Sequence, residues 1–358
     1  MFYNFIFPSF NFISGINLLR YVSFRTMCAL LTSLLLSFIL YPRFIKFIKY
    51  FQPIRPDGPP SHCINKIGTP TMGGAIIIAS SLVSSLLWGD IFNCYLLFLL
   101  MLFLAYAVLG FFDDYAKVRH NNSKGIAAGN KLFFQITIAL IFSMAVEFLR
   151  SPEIIGHLTF PFLKNFTVEN VAFLLVFTTI VIVGSSNAVN LTDGLDGLAT
   201  FPSMMAALCL GVISYLVGHV VFANYLQIIY IPSTGELCIF CGALIGSCLG
   251  FLWYNAPPAM IFMGDTGSLA IGGALGAISV IVKHEFVLAI VGGLFVIEAL
   301  SVMIQVGYWK LTGKRIFLMA PIHHHFEKKG WTEPTIVIRF WIVAFVFALL
   351  GLATLKIR

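Results

Sequence analysis

The sequence predicts an all-α, polytopic integral membrane protein with ten transmembrane helices, and three observations carry that reading. Of its 358 residues, 59% are hydrophobic and only 10% are charged. The mean hydropathy is +0.94. Apolar stretches of about 20 residues, enough for a helix to cross a bilayer core, recur along the whole chain, in place of the short alternating segments of a membrane barrel.

The spans fall at 22–42, 71–89, 94–112, 132–149, 171–187, 197–217, 235–253, 268–284, 286–307 and 335–355, within a single membrane domain over 1–358. Ahead of the first, MFYNFIFPSFNFISG is aromatic and lacks the basic start of a secretory signal, so it reads as an interfacial segment at the outer surface. The stretch 268–307 is interrupted only by Lys283, His284 and Glu285. Read as one span it would give about 40 residues to an element that needs about 20, so it is read as two. The runs GALIGSCLG at 242–250 and GGALG at 272–276 set glycines at helical spacing, where helices approach closely. The seven cysteines form no disulfide framework, and the pair Cys238 and Cys241 reads as packing within an apolar helix.

Basic residues orient the spans. The segments 43–70, 113–131 and 308–334 carry 14 Lys and Arg, against 7 on the other side, with Arg339 inside the last span. The richer side is then cytoplasmic and both termini are periplasmic. The net charge of +7 reflects this orientation, and no nucleic-acid partner is expected. The same alternation makes 185–196 and 254–267 cytoplasmic.

Five of the seven aspartates then share the cytoplasmic face: Asp113 and Asp114 in GFFDDYAK, Asp193 and Asp196 in NLTDGLDG, and Asp265 in FMGDTGS. Carboxylates beside hydrocarbon are costly and usually mark function. Asp113 and Asp114 point about 100° apart on a helix, which disfavours symmetric binding of one ion, and Lys117 stands at i,i+4 to pair with Asp113. A helix end meeting water is the plainer reading of that pair. In NAVNLTDGLDGL, Asp193 and Asp196 would share the face of a helical turn, beside Asn187, Asn190 and Thr192; the plainer reading is a polar link with Asp196 capping the next helix. In NAPPAMIFMGDTGS, Asp265 or Thr266 could cap a helix whose free N–H groups face an anion, and Phe262 sits where a ring could stack on a flat group. Hard oxygen donors in this number suit Mg²⁺ held together with substrate phosphates. Consecutive His323, His324 and His325 are poor geometry for one metal; they read either as donors to phosphate or as a solvated interfacial patch.

Taken together, RPDGPPSH at 55–62, GTPTMGG at 68–74, DDYAK at 113–117, NAVNLTDGLDGL at 187–198, FMGDTGS at 262–268 and PIHHHFE at 321–327 resemble the phospho-N-acetylmuramoyl-pentapeptide transferase family, within the polyprenyl-phosphate hexose-1-phosphate transferases. The resemblance spans essentially the whole chain. It implies transfer of phospho-MurNAc-pentapeptide from UDP-MurNAc-pentapeptide to undecaprenyl phosphate in the bacterial inner membrane, with Mg²⁺ as cofactor and lipid I and UMP as products. It implies Asp265 as the Mg²⁺ ligand, and Asp113, aided by Asp114, as the group that orients or deprotonates the lipid phosphate; a covalent route through an aspartate fits the same residues. Lys117 and Lys131 would meet phosphate. Asn187, Asn190, Asp193, Asp196 and Asn255 would contact the nucleotide or organise the site, Phe262 would stack on uracil, and His324, then His325, would meet substrate. A sibling transferase using UDP-GlcNAc would share the metal site and differ around 321–327. A cation-coupled transporter is the alternative of another class, although its acids would lie near the midplane. The glycine-rich helices and aromatic start admit a homodimer.

Overall fold

The computed structural model describes residues 1–6, 16–48, 68–119, 125–160 and 163–356. Among these, nine helices are long and apolar enough to cross a membrane: α1 (Val22–Phe47), α3 (Cys94–Arg119), α4 (Ala128–Phe148), α5 (Val171–Thr192), α6 (Thr200–Val217), α8 (Leu237–Asn255, entered through a 3-10 turn at Thr234–Glu236), α9 (Gly264–Ile281), α11 (Gly293–Thr312) and α13 (Glu333–Ala353). The expected second span is α2 (Gly74–Trp88), which at 15 residues rises only about 22 Å, short of a bilayer core. The short helices α7 (Val220–Leu226), α10 (Glu285–Val291) and α12 (Ile322–Lys328) complete the α-helices among the described residues. The chain is therefore a multi-pass helical membrane protein. The RPDGPPSH motif lies outside the described residues, as do most of the aromatic start and of the expected loop 43–70.

Two features depart from ten simple spans. A small antiparallel hairpin, β1 (His157–Phe160) with β2 (Leu163–Glu169), stands between α4 and α5. It is docked by Lys283, whose Nζ donates to the His157 carbonyl at 2.6 Å and whose own carbonyl accepts from Thr159 Oγ1 at 2.8 Å. The expected turn at Lys283 and His284 is present, but the span after it is two helices. Gly292 leaves the helical conformation, and α11 sets off separately from Gly293, where a Cβ would meet the Phe347 ring of α13. The residues of α11 buried in the protein stop at Ser301.

The core is organised around α9, every residue of which from Thr266 to Ile281 is buried. It packs against α3 and α5 most extensively. Gly272 and Gly276 let it approach α5, and Ser185 and Ser186 donate across that seam to the Gly272 and Leu269 carbonyls at 2.8 and 2.9 Å. Gly242, Gly246 and Gly250 of α8 likewise lie against Thr26, Leu30 and Ser37 of α1, as their spacing predicts. Cys238 Sγ donates to the Gly211 carbonyl of α6 at 2.7 Å and Cys241 lies against the same glycine, so the CxxC pair serves packing. The outward side of α1 presents Met27, Leu31, Leu35 and Ile39, a stripe suited to hydrocarbon.

The described terminal segments lie at one end of the bundle. The Met1 amine donates to the Leu86 and Leu87 carbonyls, Arg25 pairs with Glu236 at 2.6 Å, and Lys356 Nζ donates to the Tyr225 carbonyl. The start of α9 and the far ends of α3, α5 and α8 form the other end.

Candidate active site

Three carboxylates converge at that other end. Asp113 and Asp114 come from the last turns of α3, and Asp265 comes from the first turn of α9. Each offers an oxygen within 4.8 Å of those of the other two. The helices meet closely because Gly110 of α3 faces the Asp265 and Thr266 backbone, where a Cβ would collide.

The two adjacent aspartates do different work, as their divergent directions on the helix require. Asp114 is buried and caps α9 from outside. Its Oδ1 accepts from the Asp265 N–H at 3.0 Å, and its Oδ2 accepts from the Thr266 N–H at 2.9 Å and the Thr266 hydroxyl at 2.7 Å. The expectation that Asp265 or Thr266 would cap α9 is thus corrected: the N-cap position belongs to Met263, which makes no side-chain cap, and Gly264 at φ +74° turns the first N–H groups toward α3. The Asp114 carboxylate lies where a Cβ on Gly264 would be, 2.5 Å away.

Asp113 is held from both sides. Its Oδ1 accepts from the Ile126 N–H at 2.8 Å, and its Oδ2 lies 2.6 Å from Lys117 Nζ, the expected i,i+4 pair. Asp265 Oδ2 lies 3.1 Å from Lys117 Nζ and 2.5 Å from Lys131 Nζ, which is itself 3.7 Å from Asp113. Asp265 Oδ1 accepts from Asn190 Nδ2 at 2.9 Å, and the same amide reaches Ser268 Oγ at 2.8 Å. The Lys117 ammonium therefore sits where the three acids converge, 4.0 Å from Asp114 Oδ1. Three carboxylates against two ammoniums leave one net negative charge. A dication would reverse it and make the site attractive to phosphate. All-oxygen donors of this kind suit a divalent hard cation.

The NLTDGLDG segment reaches the same end in another geometry. Because α5 stops at Thr192 and α6 starts at Thr200, Asp193 and Asp196 lie in a turn and share no helical face. The N-cap position of α6 belongs to Ala199 rather than Asp196; Asp196 Oδ2 accepts from the Ala259 N–H at 3.0 Å, while its own N–H donates to Glu333 Oε1 at 2.8 Å. Asn255 ties the two loops together, accepting from the Gly197 N–H at 2.8 Å and donating to the Ile261 carbonyl at 2.8 Å. Phe262, half-buried, is set by its backbone against Pro70 and Gly73. Asn187 faces α4 rather than Asp265, donating to Gln135 Oε1 at 3.0 Å.

The three histidines separate on α12. His323 is fully buried, 3.1 Å from Glu298 of α11. His324 Nδ1 is 2.5 Å from Glu327. His325 Nδ1 accepts from the Leu318 N–H at 3.1 Å, and desolvation followed by the nearby Lys329 charge lowers its pKa.

Residues 96–283, which contain all five aspartates, match the family described as Glycosyl transferase family 4. Over 364 aligned positions and the full length of both chains, the protein is 54% identical to a Rickettsia montanensis protein named phospho-N-acetylmuramoyl-pentapeptide-transferase. Proteins of the same name from Pelagibacter ubique and Thermodesulfovibrio yellowstonii are 53% identical over 96% of each chain and 51% identical over all of each. The chain belongs to the phospho-N-acetylmuramoyl-pentapeptide-transferase family.

Sequence reasoning about this transferase family member missed several residues around the acids. Gly125, at φ +57°, brings the Ile126 N–H to Asp113, and a Cβ there would lie 2.6 Å from the Asp113 carboxylate. Ser268 and Glu333 brace Asn190 and the 193–199 turn. Gln135, buried within an apolar span, and Glu298, a carboxylate inside another, were visible by the same cost argument that singled out the aspartates.

Proposed function

We propose that the chain transfers phospho-MurNAc-pentapeptide from UDP-MurNAc-pentapeptide to undecaprenyl phosphate, releasing UMP and leaving lipid I in the inner membrane. The observation that carries this reading is end-to-end identity above half to bacterial proteins of that name, together with three carboxylates and two ammoniums converging at one end of the bundle. In the proposal ten membrane crossings leave both termini periplasmic and put this end at the cytoplasmic face. The excess of basic residues in its loops supports that orientation. There a water-soluble nucleotide and a lipid phosphate can meet.

The ion we assign is Mg²⁺, held by Asp265 with Asp113 within reach, and its contribution when bound is to neutralise diphosphate charge as the nucleotide departs. The remaining roles belong to the chain's own groups. Lys117 and Lys131, each with three donors, can keep their carboxylates and still offer an N–H to phosphate. Asp113 orients the lipid phosphate beside them. A phosphate monoester is already largely ionised at neutral pH, so direct attack by the lipid phosphate does not require a strong base. Asp114 assists by holding the start of α9, and Asn190 by fixing the Asp265 carboxylate. Asn187 and Asn255 organise the helices and loops behind the site, Asp193 and Asp196 frame the nucleotide, and Phe262 offers its ring to uracil. His324 and His325 meet the donor from α12. A homodimer is part of the proposal.

The test is turnover. Purified protein in lipid with Mg²⁺, UDP-MurNAc-pentapeptide and undecaprenyl phosphate should yield UMP and a lipid-linked product, stop on chelation and recover on adding Mg²⁺. Turnover of UDP-GlcNAc in place of that donor, or flux across a liposome without conversion, would overturn the reading.

A further inference from the structure

Glu298 lies inside the apolar helix α11 with no exposed surface, a costly place for a carboxylate. Its Oε2 is 3.1 Å from Nδ1 of His323, which is equally buried. Among the described residues neither side chain has a hydrogen-bond partner, so this ion-pair contact is what the two buried groups offer each other. With Nδ1 turned to Glu298, the ring aims Nε2 the other way. Nε2 faces Gly194, and a Cβ on residue 194 would overlap it. The imidazole is thus a wedge, set between the Glu298 side chain on one side and a bare Cα on the other. Leu195, Leu198, Leu294, Ile336, Val337 and Phe340 pack nearby and keep the surroundings apolar.

The far side of this wedge is the turn that joins α5 to α6. From outside the turn, its second half is tied by hydrogen bonds, Asp196 to Glu333 and Ala259, and Gly197 to Asn255. In its first half, Gly194 meets the His323 ring.

We propose that Glu298 and His323 are positioning residues that set the Asp193–Gly194 half of this turn, and through it the nucleotide of the donor substrate. The proposal rests on the reading that the turn frames the nucleotide. Replacing the carboxylate by an amide of the same shape removes the ion-pair contact that holds the ring, and the turn loses its stop. The lipid phosphate, which meets Asp113 and the two lysines on other elements, does not depend on that stop.

The experiment is a pair of KM values for Glu298→Gln in lipid, with UMP binding and thermal unfolding measured alongside. We expect KM for UDP-MurNAc-pentapeptide and Kd for UMP to rise about tenfold, which corresponds to about 1.4 kcal/mol. KM for undecaprenyl phosphate should stay within about twofold. Gly194→Ala should mimic the effect, and the double variant should fall short of the product of the two single effects, because both act on one contact. If Glu298→Gln does not fold, Glu298→Asp keeps the charge one methylene further back and should give the same selective rise in smaller measure. Both KM values moving together with a drop in Tm would reduce the pair to a general brace and overturn the proposal, as would unchanged KM values. A wild-type protein that neither turns over the donor nor binds UMP would instead defeat the functional reading, and the proposal with it.

Discussion

Asp114→Ala should destabilise the protein as well as inactivate it. The carboxylate accepts three hydrogen bonds from the first turn of α9, at 3.0, 2.9 and 2.7 Å, and its side chain is nearly inaccessible to water. Truncation leaves two backbone N–H groups and a hydroxyl without their partner, at a helix start whose dipole favours a negative charge. A lost N-cap costs about 0.5–2 kcal/mol, and each buried donor left unsatisfied costs about 1–3 kcal/mol. Allowing for relaxation of the Thr266 hydroxyl, about 3 kcal/mol is expected. At about 2.1 cal/mol/K of unfolding entropy per residue, a chain of 358 residues then loses about 4 °C in Tm. The assay is thermal unfolding in one detergent, followed by intrinsic fluorescence, beside turnover of the same preparation. Asp114→Asn should fall between, since one carboxylate oxygen becomes an amide donor facing other donors. A Tm unchanged to within about 1 °C in Asp114→Ala would refute the capping argument.

Asp265→Asn should behave differently, losing at least about 100-fold in turnover because several kcal/mol of charge stabilisation goes with the ion, while Tm moves little; substantial retained turnover would remove Asp265 from the metal site. Gly125→Ala should cost about 1–2 kcal/mol from its left-handed backbone alone and lower turnover by moving the Ile126 N–H off Asp113, both readable by unfolding and initial rates. His325 should make the segment 316–325 sensitive to acid. Its pKa is lowered in the folded protein, so the unfolded chain takes up the proton first as pH falls below about 6.5, and the stability held above that value is lost through the folded pKa. Hydrogen exchange at the Leu318 amide should rise between pH 7.5 and 5, and His325→Ala should abolish that pH dependence.

Membrane class and most of the long apolar helices follow from the sequence by itself, because hydrocarbon allows only long apolar helices and tolerates few charges. The Asp113–Lys117 pair was equally readable, since helical spacing alone brings i and i+4 together. The grouping of the acidic segments at one end came from counting spans. The division of labour among the acids did not, because it depends on contacts between helices far apart in sequence. Asp114 becomes the cap of α9 only once Gly110 and Gly264 let two helix ends meet. Asp196 turns to Ala259, and of the three histidines it is His323 that is locked in the interior. Local sequence determines where a carboxylate stands along its helix; tertiary packing decides which oxygen meets which donor, because that choice is made at distances of about 3 Å between segments that no local pattern relates.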